Sequence, residues 1–323
     1  SSADLKFVRR SFFRYAVYLW RLVRLAQGAD IIYALDPLAA GFPAYLAAKI
    51  GGAKFVMRVG GDYLWERDVE AGRVWTTLRG YYESELWKKR KFASCLLRQV
   101  FVGVDKFIFT TSFQAKIYER VFGLAARKIS IVKNPFVSDG LMGVISGNKN
   151  IIFAGRFIKL KNLDNLILAF KRLAADFSEY KLVLIGEGPE ESHLIALVGE
   201  HHLEDRVLIW PKLSKEKVAV EISGATACVL PSLSEVSPNF ALECVSIGTP
   251  IVLTREHGLD ITMKEEYLID PMDQRDIEKK LRAVLAMSEK SPGIVGQISA
   301  LTFDDVVKTH LQIFNQLCLS KEQ

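Results

Sequence analysis

The sequence predicts an α/β protein made of two doubly wound domains, each with a parallel sheet covered by helices on both faces. Continuous Val, Ile and Leu runs alternate with longer helical patterns almost throughout, which is typical of strands buried on both faces. The length of 323 residues suits two domains of ordinary size. Half of the residues are hydrophobic and a quarter are charged, which excludes a disordered chain.

Ten apolar runs are predicted to be strands. Four lie in the first half of the chain: Asp30–Leu35, Lys54–Val59, Lys106–Thr111 and Ile129–Val132. Six lie in the second half: Asn150–Ala154, Lys181–Ile185, Arg206–Trp210, Ala227–Leu230, Pro250–Leu253 and Tyr267–Ile269. The clearest helical patterns between the later strands are Leu163–Phe177, Glu190–Glu200, Phe240–Ile247 and Gln274–Met287.

The predicted linker is residues 134–149, NPFVSDGLMGVISGNK, because this segment is rich in Asn, Gly, Ser and Pro. We therefore expect an N-terminal domain over residues 1–140 and a C-terminal domain over residues 141–302. Residues 303–323 are expected to form a final helix.

Charge is distributed unevenly along the chain. Residues 1–140 contain 23 Lys and Arg against 12 Asp and Glu, a net charge of +11, whereas residues 141–323 contain 20 against 25, a net charge of −5. This asymmetry predicts an acidic partner for the first half. The opening segment interleaves aromatic residues with arginines, and a second basic run follows: Arg9, Arg10, Arg14, Arg21, Arg24 and Lys88–Lys91. Such segments lie on anionic membranes or cover a sheet with their arginines outward, and both interpretations stay open.

Several classes of protein are not indicated. No apolar run is long enough for a transmembrane helix, and the first residues do not resemble a secretory signal. The four scattered cysteines and five histidines have no metal-ligand spacing, which predicts free thiols in a reducing cytoplasm and no bound metal. No recognised nucleic-acid motif accompanies the basic half, so nucleic acid is not an expected partner.

The most informative block covers residues 230–254, where a short strand, a polar loop and a helix follow one another. Ser237 is predicted to cap the helix and Pro238 to be its first residue. The free amides at this helix N-terminus attract anions, above all phosphates: Asn239, Phe240 and Ala241. Two carboxylates that can accept hydroxyl hydrogen bonds flank these amides, Glu235 in the loop and Glu243 in the helix.

A pair of cations follows another predicted strand. Arg156 and Lys161 lie in a strand-to-helix loop at the carboxyl end of the sheet, where such folds bind ligands. Fixed cations there would stabilise charge growing on a leaving phosphate, and the alternative is two solvated surface cations. Gly186 and Gly188 end the next strand, in a turn that either approaches a ligand or merely joins strand to helix. Gly188 is predicted to cap the following helix, with Pro189 as its first residue.

These blocks resemble the signatures of retaining glycosyltransferases of family 4. Glu235 and Glu243 match the E-x7-E signature, and Arg156 and Lys161 match G-R-x4-K; the resemblance covers about Asn150–Ser320. It implies the GT-B fold, in which two Rossmann-like domains face one another across a cleft and the final helix packs back toward the N-terminal domain. It also implies a metal-independent enzyme without a cofactor, whose donor substrate is a nucleotide-diphospho-sugar (a UDP-, GDP- or ADP-sugar).

The resemblance assigns roles to individual residues. Arg156 and Lys161 would hold the diphosphate, and Glu243 would hold the ribose hydroxyls. Glu235 would orient the transferred sugar rather than act as a nucleophile. The loop after the third strand of the second half would lie beside the nucleobase, through Lys212 and Leu213.

The N-terminal half departs from the family pattern. Gly60 occupies a position where relatives often carry a histidine beside the donor sugar, and Asp62 is the predicted catalytic substitute. A loop or capping role is the alternative for Asp62. A GT-B N-terminal domain normally opens with a strand and a Gly-rich loop, whereas this chain opens on a helix. We therefore expect that N-terminal residues of the natural protein are missing from this sequence.

The resemblance implies a hexosyl- or N-acetylhexosaminyltransferase that acts on a hydroxyl acceptor. A lipid-linked or cell-surface glycan of polysaccharide biosynthesis is the expected acceptor. The enzyme is expected to be cytoplasmic, with peripheral contact to the inner face of the cell membrane through its basic half. Two alternatives stay open. One is a non-catalytic GT-B partner subunit, which the missing histidine favours and the four intact site residues count against: Arg156, Lys161, Glu235 and Glu243. The other is a sugar-nucleotide epimerase, against which the G-R-x4-K block argues.

Overall fold

The computed structural model describes residues 16–136, 148–287, 291–295 and 300–319. The chain divides into two compact units. The first unit comprises Ser1–Leu64, Tyr82–Asn134 and Phe303–Gln323, and the second comprises Trp65–Tyr81 and Pro135–Thr302. Most of the predicted linker and the first three arginines of the opening segment lie outside the described residues. Within the described residues, no helix has both the length and the apolar character needed to cross a membrane.

The first unit is built on a parallel four-stranded sheet in the order β1-β2-β3-β4. The strands are β1 Ile31–Ala34, β2 Lys54–Val59, β3 Lys106–Phe109 and β4 Ile129–Ile131. The helices of this part of the chain are α1 over residues 16–25, α2 Gly41–Gly51, α3 Tyr63–Glu70, α4 Leu78–Glu83, α5 Lys91–Val102 and α6 Ser112–Phe122.

The second unit contains a parallel six-stranded sheet in the order β11-β9-β8-β5-β6-β7, and β10 pairs antiparallel with β12. The strands are β5 Asn150–Ala154, β6 Lys181–Ile185, β7 Val207–Trp210, β8 Ala227–Leu230, β9 Ile251–Thr254, β10 Thr262–Met263, β11 Leu268–Ile269 and β12 Ile294–Val295. The helices are α7 Leu163–Leu173, α8 Glu191–Glu200, α9 Lys215–Gly224, α10 Asn239–Ile247 and α11 Gln274–Ala286. The C-terminal helix α12, Phe303–Leu319, belongs to the first unit, where Ile313 lies in the core with Val56, Ile108 and Val132.

The predicted α/β class with parallel sheets is confirmed, and all ten predicted strands are present within two residues of their predicted bounds. The pattern succeeded because the central strands of the sheets are buried; the three central residues of β5, for example, are fully inaccessible. Among the predicted helices, α7 is shorter than expected, since it ends at Leu173 rather than at Phe177. Beyond Leu173 the chain turns so that the ring of Phe177 packs edge-on against Tyr180, with centroids 5.7 Å apart.

The strand order of the second unit places the functional loops. β5 is central, with β6 and β7 on one side and β8, β9 and β11 on the other. The chain therefore reverses its direction of winding at β5, and the loops that follow β5 and β8 leave the sheet toward opposite faces. Open α/β sheets bind ligands in the crevice formed at such a switch point, at the carboxyl ends of the strands.

Candidate functional site

A cavity of about 240 Å³ opens at the carboxyl ends of β5 and β6 in the second unit. Its lining combines cations, two carboxylates (Glu187 in the loop after β6 and Glu243 in α10) and apolar side chains. Six of the residues predicted from the sequence line it: Arg156, Gly186, Lys212, Leu213, Phe240 and Glu243. The cavity can therefore offer positive charge, hydroxyl acceptors and an apolar surface to a single small ligand.

The N-terminus of α10 lies against this cavity, with one correction to the prediction. The helix begins at Asn239, and Pro238 is the residue before it, with φ −78° and ψ 89°. That ψ is not helical, so Pro238 is not the first helical residue and Ser237 is not the cap. The first helical hydrogen bond runs from Leu242 N to Pro238 O at 3.2 Å. The amides of the first three helical residues, Asn239 to Ala241, therefore remain at the open end of the helix, as anion binding requires.

Lys161 and Glu235 form an ion pair beside the cavity rather than lining it. Nζ of Lys161 donates to Oε1 of Glu235 at 2.5 Å, and Oγ of Ser232 donates to the same oxygen at 2.5 Å. Glu235 is only 8% exposed. Because a buried carboxylate needs a charged partner or several hydrogen bonds, the pair fixes both side chains in one geometry. Arg156 is exposed, so its guanidinium is accessible to a ligand.

The backbone of Glu235 is fixed as well. Glu235 N donates to Glu256 O at 2.9 Å, and Gly258 N donates to Glu235 O at 2.7 Å. This short bridge places His257 beside Glu235 in the loop that follows β9. Burial lowers the pKa of His257, so its neutral imidazole is favoured in the folded protein.

The glycines at the end of β6 serve the packing of two loops. Gly155 N donates to Ile185 O, and Phe157 N donates to Glu187 O, both at 2.9 Å. A Cβ on Gly186 would lie 1.9 Å from Gly155 O, and one on Gly188 would lie 2.3 Å from Phe157 O. Both positions therefore exclude any side chain.

The predicted start of the following helix needs correction. Helix α8 begins at Glu191, with Glu190 before it, rather than at Pro189. Glu190 N donates to Phe157 O at 3.1 Å, so this stretch of chain is still bound to the neighbouring loop. Gly188 consequently does not cap the helix.

Asn162 is a structural residue of the site to which the sequence analysis gave no role. It is 1% exposed and has a left-handed backbone with φ 58°. Its Nδ2 donates to Pro231 O at 3.0 Å and to Pro271 O at 2.8 Å. One amide group thus joins the loops that follow β5, β8 and β11. Its position next to Lys161 was visible in the sequence, but its two partners were not.

Asp62 lies in the first unit and is 1% exposed. Oδ2 of Asp62 accepts from the hydroxyls of Tyr82 and Tyr118, both at 2.6 Å. Burial and the nearby carboxylate raise the pKa of Tyr82 well above its usual value, so this hydroxyl keeps its proton and donates. Asp62 is thus tied to two tyrosines of the first unit, and its catalytic role stays a prediction.

Within the described residues, no group of three His, Cys, Asp or Glu side chains could hold a metal ion. Among the cysteines, Cys228 and Cys244 are buried free thiols, as predicted, whereas Cys95 is exposed.

Comparison with known proteins places the chain in a family. The family model "Glycosyl transferases group 1" matches residues 143–294, and the model "Glycosyltransferase Family 4" matches residues 4–138. A D-inositol 3-phosphate glycosyltransferase of Pseudarthrobacter chlorophenolicus is 34% identical over 121 residues, which are 36% of this chain and 29% of that protein. The chain spans less than half of the length of each of the first curated relatives it matches.

Two solved structures show the same fold. The apo form of the lipopolysaccharide outer core galactosyltransferase WaaB has a TM-score of 0.64 and 20% identity, and the alignment covers 97% of this chain and 82% of that one. HepE of Anabaena, solved in complex with UDP and glucose, has a TM-score of 0.65 and 15% identity, with 93% and 80% covered. With both halves matched by family models and the whole fold matched by known structures, the chain belongs to the family 4 type of group 1 glycosyltransferases with the GT-B fold.

Proposed function

We propose that this glycosyltransferase uses a nucleotide-diphospho-sugar as its donor and retains the configuration of the transferred sugar. The observation that carries the proposal is the cavity at the ends of β5 and β6, where Arg156, the open end of α10 and Glu243 converge. Cations and free amides suit a diphosphate, and a carboxylate suits the vicinal hydroxyls of a ribose. The UDP and glucose bound by HepE, and the UDP and GlcNAc bound by the pneumococcal transferase GtfA, support this choice of ligand.

The residues divide the work between binding and charge stabilisation. Arg156 and Lys161 would neutralise the diphosphate as it leaves, and this help is largest in the transition state, when the negative charge is greatest. Lys212 and Leu213 would contact the nucleobase. Glu235 would accept a hydrogen bond from a hydroxyl of the sugar. Its ion pair with Lys161 would hold both side chains in position beside the bond that breaks.

The acceptor in this proposal is a hydroxyl of a lipid-linked or cell-surface glycan, and the enzyme meets it at the inner face of the cell membrane. Helix α5 supports membrane contact because Phe92 and Val102 are 83% and 81% exposed on it. The helix contains no acidic residue and follows the basic run Lys88–Lys91. Apolar side chains bordered by cations fit an anionic lipid surface. The name of WaaB, a lipopolysaccharide outer core galactosyltransferase, agrees with this class of acceptor.

Titration calorimetry with UDP, GDP and ADP tests the donor site, first with the wild-type protein and then with Arg156→Ala. One nucleoside diphosphate should bind, and loss of the guanidinium should weaken that binding about 10-fold or more, as expected for a charge-assisted contact to phosphate. Lys308→Ala, which removes an exposed cation on α12, is the matched control and should bind normally. No binding of any of the three nucleotides would refute the donor assignment. If one of them binds but the protein neither transfers nor hydrolyses the sugar of the corresponding nucleotide-sugar, the non-catalytic subunit is favoured.

A further inference from the structure

Residues 65–81 come from the N-terminal half of the chain but belong to the second unit. We call this segment the strap. It has internal ties of its own, since Nε1 of Trp65 donates to Thr76 O at 2.9 Å and the hydroxyl of Tyr81 donates to Asp68 at 2.8 Å. Trp65 and Tyr81 are both buried. The strap is therefore an ordered element rather than a loose connection.

One carboxylate of the strap binds the loop that carries Lys161. Glu70 accepts from Leu160 N at 3.0 Å through Oε1 and from Lys159 N at 3.3 Å through Oε2. These are the amides of the two residues immediately before Lys161. Hydrogen bonds to an ionised acceptor are about twice as strong as neutral ones, so Glu70 holds this short turn firmly.

A second contact of the strap reaches the loop that carries Glu235. Leu78 N donates to Oγ of Ser234 at 2.9 Å in a buried environment. The two loops are also joined to each other, because Leu233 N donates to Leu160 O at 3.0 Å. Leu160 thus donates its N–H to Glu70 and accepts the N–H of Leu233 at its carbonyl oxygen.

A third contact of the strap reaches Glu256, a backbone partner of Glu235 in the loop after β9. Nε of Arg79 lies 3.1 Å from Oε1 of Glu256, and Glu256 O accepts the backbone N–H of Glu235. The strap contacts described above therefore fall on the two residues before Lys161, on the residue before Glu235, and on Glu256, whose carbonyl binds the backbone N–H of Glu235.

We propose that the strap positions the Lys161–Glu235 ion pair and that Glu70 is the principal positioning residue. This inference rests on the proposed function, in which that pair acts on the leaving diphosphate and the sugar. Glu70 does not line the cavity, so it acts through the backbone of the turn before Lys161. A misplacement of about 1 Å at a reacting group can lower the rate about 100-fold, so loss of the Glu70 contact is expected to lower kcat.

The test compares Glu70→Ala and Glu70→Gln in the full chain, with Glu200→Ala, an exposed glutamate at the end of α8, as the matched control. Hydrogen exchange in peptides covering residues 156–163 and 232–238 should become about tenfold faster in Glu70→Ala. The kcat should fall about 10-fold or more, with the donor KM changed by less than about threefold. Glu70→Gln keeps one acceptor oxygen and should recover part of both losses.

The outcomes separate this inference from the proposed function. Unchanged exchange in both peptides of Glu70→Ala overturns the positioning role, whether or not a substrate is known. Faster exchange with an unchanged kcat also overturns it, because the contact would then be structural only. A wild-type protein that binds no nucleoside diphosphate refutes the proposed function instead.

Discussion

Replacing Asn162 by alanine tests how the strand-end loops of the second unit are held together. The substitution removes the donors to Pro231 O and Pro271 O, and each buried carbonyl left without a donor costs about 1–3 kcal/mol. It also places an alanine at φ 58°, where the crowding of its Cβ costs about 1–2 kcal/mol, a cost that the short polar side chain of asparagine offsets in part by local hydrogen bonding. We therefore expect a loss of at least about 3 kcal/mol in the free energy of unfolding of the second unit.

A suitable assay is urea denaturation in which hydrogen exchange of the β5 and β8 amides is the readout, because these amides report on the second unit alone. Asn162→Gly is the control, since it loses the same donors without the backbone penalty and should lie between wild type and Asn162→Ala. Asn162→Asp keeps the shape but cannot donate when ionised, so it should be at least as unstable as the glycine variant. A loss below about 1 kcal/mol in Asn162→Ala would contradict this account of the loops.

Two further predictions concern packing and membrane contact. Gly188→Ala should lower the free energy of unfolding of the second unit by about 1–3 kcal/mol, because the new Cβ would lie 2.3 Å from a backbone oxygen. Gly60→Ala is the control and should change stability by less than about 0.5 kcal/mol, since the atom nearest to its Cβ would be 3.7 Å away. Equal losses of stability in urea denaturation would refute the steric argument. Phe92→Ser combined with Val102→Ser should weaken sedimentation with phosphatidylglycerol vesicles about 10-fold. Ile195→Ser, at a 55% exposed position in the second unit, is the control and should bind the vesicles like wild type. Equal vesicle binding by wild type, the double variant and Ile195→Ser would refute the membrane proposal.

Much of the fold could be predicted because the information is local. The strands of both sheets are short runs of apolar residues, and burial on both faces requires this composition whatever the partner strands are. The block around α10 could be predicted for a similar reason, since the amides of Asn239 to Ala241 and the carboxylate of Glu243 lie on one turn or two of the same helix. Residues that are neighbours in the sequence remain neighbours in the fold.

The errors at element ends have a common cause. The sequence placed the start of α10 at Pro238 and the end of α7 at Phe177, and in both cases composition allowed the helix to include the residue. The structure excludes Pro238 from the helix through its ψ of 89° and turns the chain after Leu173 to pack Phe177 on Tyr180. Propensity alone does not determine a helix end, because capping and tertiary packing add comparable energies.

The sequence by itself determined the class of fold and the strands of the two parallel sheets, and it predicted the chemical types of the site residues, whereas the short strands β10 and β12 were not predicted. The tertiary structure alone decided that Asp62 is held by two tyrosine hydroxyls, that Lys161 is paired with Glu235 and that Glu70 binds the turn before Lys161. Glu70 and Leu160 are 90 positions apart in the chain, and Asp62 and Tyr118 are 56 apart. A hydrophobic pattern reports whether a residue is buried, but the partner of a buried polar group depends on which distant loops are brought together when the sheets form.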